Sequence, residues 1–303
     1  MATDASAIAS PIAAGSAELT PRKRIDLAAP RRRPVGQWLL TGVVLAWFAL
    51  LILVPTLALL RQALAGGLGA FVEALNAPET RRAFGLTLGI TLLATVVNTV
   101  FGLAFAMVLV RQRFWGRALA DGLVDLPFAV SPVVAGLMLL LLYGPKGLFG
   151  PWLGAHGPRV VYSWPGMTLA TLFVTLPFVV REVVPVLREF GIDQEEVAST
   201  LGAGRWRTFW RVTFPSIRWG LAYGVTLTVA RSLGEFGALL VVSGNILGRT
   251  QTATLLIHEG VDSFQPEVAY ASSIALAGVS FVLLIGMETV RRRVARREEH
   301  AGA

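Results

Sequence analysis

Apolar residues run along this chain in uninterrupted blocks, not at the alternating or one-faced spacing of a soluble protein. Residues 38–60, WLLTGVVLAWFALLILVPTLALL, carry no charge, and about 20 such residues suffice for a helix to cross the hydrocarbon core of a bilayer. Residues 83–110 are also uncharged and long enough for a tilted span. A third block runs from 122 to 142, after Asp121 and including Asp125; a fourth covers 162–187, with Arg181 and Glu182 near its far end. The fifth and sixth lie at 217–243 and 268–289. The pattern predicts an all-α fold, a polytopic transmembrane helical bundle of six spans. Pro165, Pro177 and Pro185 can each bend or end the fourth helix, and Pro127 and Pro132 predict a kinked or broken start to the third.

Composition agrees with the blocks. Of 303 residues 54% are hydrophobic and 15% charged, against about 25% charged in a typical soluble domain. The net charge of +8 does not indicate nucleic acid, because most arginines flank the apolar blocks and set topology. Arg22, Lys23, Arg24, Arg31–Arg33, Arg111, Arg113, Arg117, Arg205, Arg207, Arg211, Arg291–Arg293, Arg296 and Arg297 fall on one side, with Arg61, Arg81, Arg82, Lys146, Arg159 and Arg249 on the other. That bias predicts both termini, and the segment 190–215, in the cytoplasm. Residues 1–37 read as a disordered basic tail behind an uncleaved first span, 38–290 as the membrane domain, and 291–303 as a charged cytoplasmic tail. The absence of cysteine excludes disulfides and thiol chemistry. His156, His258 and His300 form no metal motif, and the grouping of His258, Glu259 and Asp262 is too unlike a ligand set to count as one.

One polar segment interrupts this pattern. In DQEEVASTLGAGRWRTFWRVTFP, residues 193–215, Asp193 is a candidate N-cap with Glu196 three residues on, and Gly202 is placed to end a helix in the left-handed conformation. A second helix then carries Trp206, Phe209 and Trp210 on one face before Pro215 opens the next span. Periodicity alone leaves two readings open: an amphipathic hairpin resting on lipid headgroups, or a docking element for a partner.

The spacing narrows them. Glu196-Val197-Ala198, three residues, Gly202, nine residues, Val212, one residue, Phe214-Pro215 resembles the signature of permeases of ABC importers, with Val197, Val212 and Phe214 as conservative departures. The stretches at 123–153, 174–187 and 231–248 are similar to the sulfate/thiosulfate permease family, which adjoins the molybdate permeases, and most closely to its CysW-type subunit. The resemblance extends over about residues 38–290 and implies the type I ABC importer permease fold in a bacterial cytoplasmic membrane. It implies that 193–215 is a coupling loop gripped by an ATPase, with Glu196 contacting the partner or bracing the loop. Val197, Ala198 and Leu201 would pack in the ATPase cleft, and Gly202 and Pro215 shape the turn and the exit. It also implies a CysT-type homologous permease, a CysA-type ATPase dimer and an extracytoplasmic sulfate/thiosulfate-binding protein as partners. The chain has no phosphate-binding loop, so ATP and Mg belong to the ATPase and no cofactor or catalytic residue is expected here. A homodimeric molybdate/tungstate permease is the alternative within the family.

Within the spans, Arg231 and Glu235 lie four residues apart. They read either as a positive group near an anion path with its balancing carboxylate, or as a structural pair between permeases. Ser232, Gly234 and Gly237 suit close helix approach. Asn98 reads as an interhelical hydrogen-bond donor. Lys146, Arg159 and the turn-rich loop 243–252 are candidates for contact with an extracytoplasmic protein.

Overall fold

The computed structural model describes residues 35–157 and 159–301, with side chains described for 38–157 and 159–292. The basic tail expected over 1–37 therefore falls outside the described residues except for 35–37. The described part of the first compact unit, which ends at Val54, is helix α1 (Val35–Phe48) followed by a π-turn, Ala49–Leu53. The second unit, from Pro55, holds the rest. It contains α2 (Val54–Ala63) from Pro55 on, α3 (Gly67–Asn76), α4 (Pro78–Arg111), α5 (Arg117–Ala129), α6 (Pro132–Tyr143), α7 (Gly150–His156) and α8 (Trp164–Phe190). These are followed by α9 (Asp193–Thr200), α10 (Arg205–Thr208), α11 (Phe214–Leu233), α12 (Gly237–Val242), α13 (Ala253–Asp262) and α14 (Pro266–Ala301). No strand occurs among the described residues.

Among the described residues, four helices are long and apolar enough to cross a membrane: Trp38–Ala63, Pro78–Arg111, Trp164–Phe190 and Pro266–Arg292. The third expected span is a pair, α5 and α6, bent by 113°. Pro132 explains the position of the bend, because the residue before a proline is driven out of the α region; Ser131 sits at φ −58°, ψ 138° and Pro132 starts the next helix. The fifth is also divided: α11 ends at Leu233 and α12 begins at Gly237. By contrast α8 continues through Pro177 and Pro185, so neither ends the fourth span; neighbouring helices in a membrane bundle compensate for the missing donors.

The centre of the second unit is α4 packed on α8, with α11 against both. Thr80, Thr87, Thr91, Thr95 and Asn98 are buried along one face of α4, and Thr168, Thr171 and Thr175 along α8. Small polar residues let helices approach in lipid, where apolar area gives no driving force. The hydroxyls of Thr87, Thr171 and Thr175 donate to carbonyls four residues back, which keeps them satisfied without water. Nearer residue 111, Leu109, Val179, Val180, Val183, Leu187 and Ile217 form an apolar core. Gly224 is necessary there: a Cβ on it would lie 2.9 Å from the Val179 Cα.

Candidate docking loop and intramembrane ion pair

The loop between α8 and α11 is a helical hairpin. Gly191, at φ +68°, turns the chain after α8, and the backbone of Ile192 then precedes the first helical residue. Asp193 is therefore inside the first turn instead of capping it, and no side-chain capping bond forms. This corrects the expected capping box. Asp193, Glu195 and Glu196 instead put three carboxylates at the positive end of α9. At the other end Gly202 adopts φ +80°. The Gly202 N–H donates to Ser199 O and the Ala203 N–H to Ala198 O, both at 3.0 Å; this is the paired closure that ends a helix on a left-handed residue.

The second arm differs from the separate short helix expected. α10 passes through a π-turn, Phe209–Thr213, directly into α11. The Phe214 N–H reaches back five residues to Phe209 O. Pro215 has no N–H to offer Arg211, and its ring would crowd that carbonyl; the widened turn just before it makes the room. Trp206, Phe209, Trp210 and Phe214 pack against one another along this arm, mostly edge-on or tilted, with centroid separations of 5.0–6.2 Å.

The hairpin has an anchored side and an open side. Arg111 Nη2, at the end of α4, donates to Glu195 Oε1 at 2.9 Å, and the Thr213 hydroxyl donates to the same oxygen at 2.8 Å. Glu195 braces the loop, a role that sequence reasoning had offered to Glu196. Glu196 is exposed and, among the described residues, pairs with no cation. Val197 and Leu201 are 58% and 83% exposed and Trp206 is 74% exposed, an apolar ridge presented outward, with Ala198 half-buried beneath it. Pro215 is half-buried at the root of α11.

A second ionic cluster links α8 and α5. Arg181 donates to both oxygens of Asp125, to Asp121 Oδ1 and to the Asp121 carbonyl, at 2.6–2.8 Å, joining α8 to α5. Arg188 adds a longer contact to Asp121 at 3.9 Å. The signal for it in the sequence was Asp121 and Asp125 one helical turn apart, together with an arginine inside a span.

Further along α11, Glu235 is buried, with its side chain fully covered, while the Arg231 side chain is one-third exposed. Arg231 Nη1 lies 2.7 Å from Glu235 Oε2. Glu235 Oε1 accepts the Ala238 N–H at 3.0 Å, and the Glu235 carbonyl accepts the Thr254 hydroxyl at 2.8 Å. The carboxylate thus holds together the break between α11 and α12. Gly237 does pack closely, where a Cβ would meet Pro132 Cβ at 3.1 Å, but Gly234 has open space around it. Asn98 is remote from this pair in its bonding: its Nδ2 donates to Leu172 O and Thr175 Oγ1 at 3.1 and 2.8 Å. It is an interhelical clamp.

At the other end of α8, a cavity of about 1120 Å³ is bounded by Arg159, Tyr162, Trp164, Gly244, Arg249 and Thr250, among others. The structure therefore brings Arg159 and the 243–252 loop together, without Lys146 in the lining. His258 pairs with Asp262 at 3.3 Å, while Glu259 accepts from Asn245 and Ser263, so the three do not converge.

Residues 98–299 match the family described as binding-protein-dependent transport system inner membrane component. The chain belongs to that family. It is 46% identical over 258 residues to the sulfate transport system permease protein CysW of Synechococcus elongatus, covering 85% of this chain and 90% of that one. It is 42% identical over 287 residues to CysW of Escherichia coli K12, covering 94% and 97% of the two chains. Against CysT of the same organism it is 39% identical over 267 residues, covering 88% and 96%. The fold is similar to a bacterial ABC transporter involved in import of the acidic polysaccharide alginate, with a TM-score of 0.72 at 20% identity over 86% of this chain and 97% of that one. The protein is a multi-pass membrane permease with the fold of ABC importers.

Proposed function

We propose that this chain is the CysW-type permease subunit of an ATP-driven importer that carries sulfate or thiosulfate into the cell. The observation that carries the reading is the hairpin 193–204, braced on one side by Glu195 and presenting Val197, Leu201 and Glu196 on the other. The ridge stands beside the carboxylates of Asp193 and Glu196, which suit a protein partner better than the anionic phosphates of lipid headgroups. The names of its relatives supply the cargo, and the likeness to both CysW and CysT proteins supports a pair of homologous permeases over a molybdate/tungstate homodimer.

In this reading both termini and the hairpin are cytoplasmic in a bacterial inner membrane. A CysA-type ATPase dimer grips the hairpin and holds the ATP and Mg, and the chain itself catalyses nothing. ATP binding closes the ATPases, the hairpins move with them, and the permease pair opens outward to a sulfate-binding protein docked over the cavity that Arg159 and Arg249 border. Hydrolysis resets the pair.

The test is uptake of radiolabelled sulfate in cells lacking this gene and other sulfate importers. They are complemented with wild type or with Glu196→Ala plus Gly202→Asp, with unlabelled molybdate as competitor. Uptake restored by wild type alone, at equal membrane abundance, is the expected result. Normal transport by the double variant would remove the coupling role, and loss of molybdate accumulation with sulfate uptake intact would replace the cargo.

A further inference from the structure

We propose that Arg231 is the group in this chain that meets the transported anion, its guanidinium offering N–H donors to a tetrahedral dianion as it passes the break between α11 and α12. This rests on the sulfate reading above and adds to it the point of contact and the reason the contact is transient.

A charged side chain inside a span is expensive, and its presence calls for a partner. The two arginines Arg181 and Arg231 meet that demand differently. Arg181 has its donors occupied by Asp121 and Asp125. Arg231 has one contact, Nη1 to Glu235 Oε2 at 2.7 Å, and among the described residues no second acceptor takes a hydrogen bond from its guanidinium. Its five N–H groups form a planar fork suited to a pair of oxygens on one centre.

The surroundings fix which partner of the pair an incoming ion encounters. Glu235 is wholly covered and tied down by the Ala238 N–H, whereas Arg231 is one-third exposed. On the same flank Tyr223, about two turns earlier on α11, and Gly234, just past its end, are exposed, so Arg231 lies at the edge of an accessible strip. An anion reaching that strip meets the guanidinium and not the carboxylate. The fixed carboxylate behind it offsets part of the positive potential. The site therefore attracts a dianion without retaining it, as a conduit requires.

The experiment uses the complete transporter, with partner permease, ATPases and binding protein, in proteoliposomes. Wild type is compared with Arg231→Gln, Arg231→Lys, Glu235→Gln and the Arg231→Gln/Glu235→Gln double variant. Initial uptake of labelled sulfate and molybdate is measured alongside Mg-ATP hydrolysis. Loss of charged hydrogen bonds to the ion predicts a fall of about tenfold or more in sulfate uptake for Arg231→Gln, with hydrolysis and subunit co-purification retained. The double variant should be no better, and Arg231→Lys, which keeps charge but not the fork, should change the ratio of sulfate to molybdate uptake. Recovery of uptake in the double variant would overturn the proposal, since removing both members of a structural pair is tolerated where removing one is not. An unchanged anion ratio in Arg231→Lys would overturn it too. If the wild-type transporter carries no sulfate, the sulfate reading falls and takes this inference with it; if wild type and the double variant both carry it, only this inference falls.

Discussion

Three single residues decide how firmly the functional parts are held. Gly202 closes α9 at φ +80° with nothing within 4 Å of its Cβ position, so an alanine there meets backbone strain and no clash. Gly202→Ala should weaken the hairpin by about 1–2 kcal/mol, read as faster amide hydrogen exchange across 198–203 while α8 stays protected. Asn98 gives both donors of its amide to α8, at 3.1 and 2.8 Å. Interhelical bonds of this kind contribute roughly 0.6–2 kcal/mol. Asn98→Leu should lower the unfolding free energy in detergent by that amount and leave sulfate affinity unchanged. Glu195 joins Arg111 to Thr213 through one oxygen; Glu195→Gln should loosen the hairpin root and reduce transport more than it reduces membrane abundance.

At the scale of elements, the sequence announced long helices and obscured broken ones. Residues 83–110 and 268–289 were legible because every turn is apolar and the ends are marked by charge. Hydropathy reports how apolar a segment is and nothing about its path, so α5 and α6, bent by 113° at Ser131, looked like one span. The break after α11 was hidden for the same reason: the apolar run continues while Glu235 takes over hydrogen bonds that the helix gives up. The hairpin was readable in Gly202 and in its spacing. Its brace was not, because the choice between neighbouring Glu195 and Glu196 depends on which way α4 delivers Arg111. The Arg181 cluster makes an element-scale prediction. Arg181→Met removes every bond between that guanidinium and α5, whereas Asp121→Asn or Asp125→Asn leaves the other carboxylate in place. Thermal midpoints of the purified complex should fall further for Arg181→Met than for either aspartate variant, modestly in each case because the groups are partly solvated.

For the whole molecule, the absence of cysteine turns orientation into a direct measurement. Leu201→Cys should react with a membrane-impermeant maleimide in inverted vesicles and not in intact spheroplasts, and Arg249→Cys should show the reverse. Co-expression with the ATPase should protect Leu201→Cys, since the ridge is then covered.

The helix that leaves the hairpin does not stop between Arg205 and Leu233; it passes through the π-turn and ends just beyond Arg231, at Leu233. At about 1.5 Å per residue this is a rod of roughly 40 Å. Such a rod works as a crankshaft. A twist applied where Trp206 is exposed meets no break in the helix on its way to Arg231, so it is passed on as rotation of the Arg231 face. The one place with slack is the wide turn at Phe209–Thr213, which would act as a torsion spring, setting how much of each ATPase stroke arrives and how much is lost.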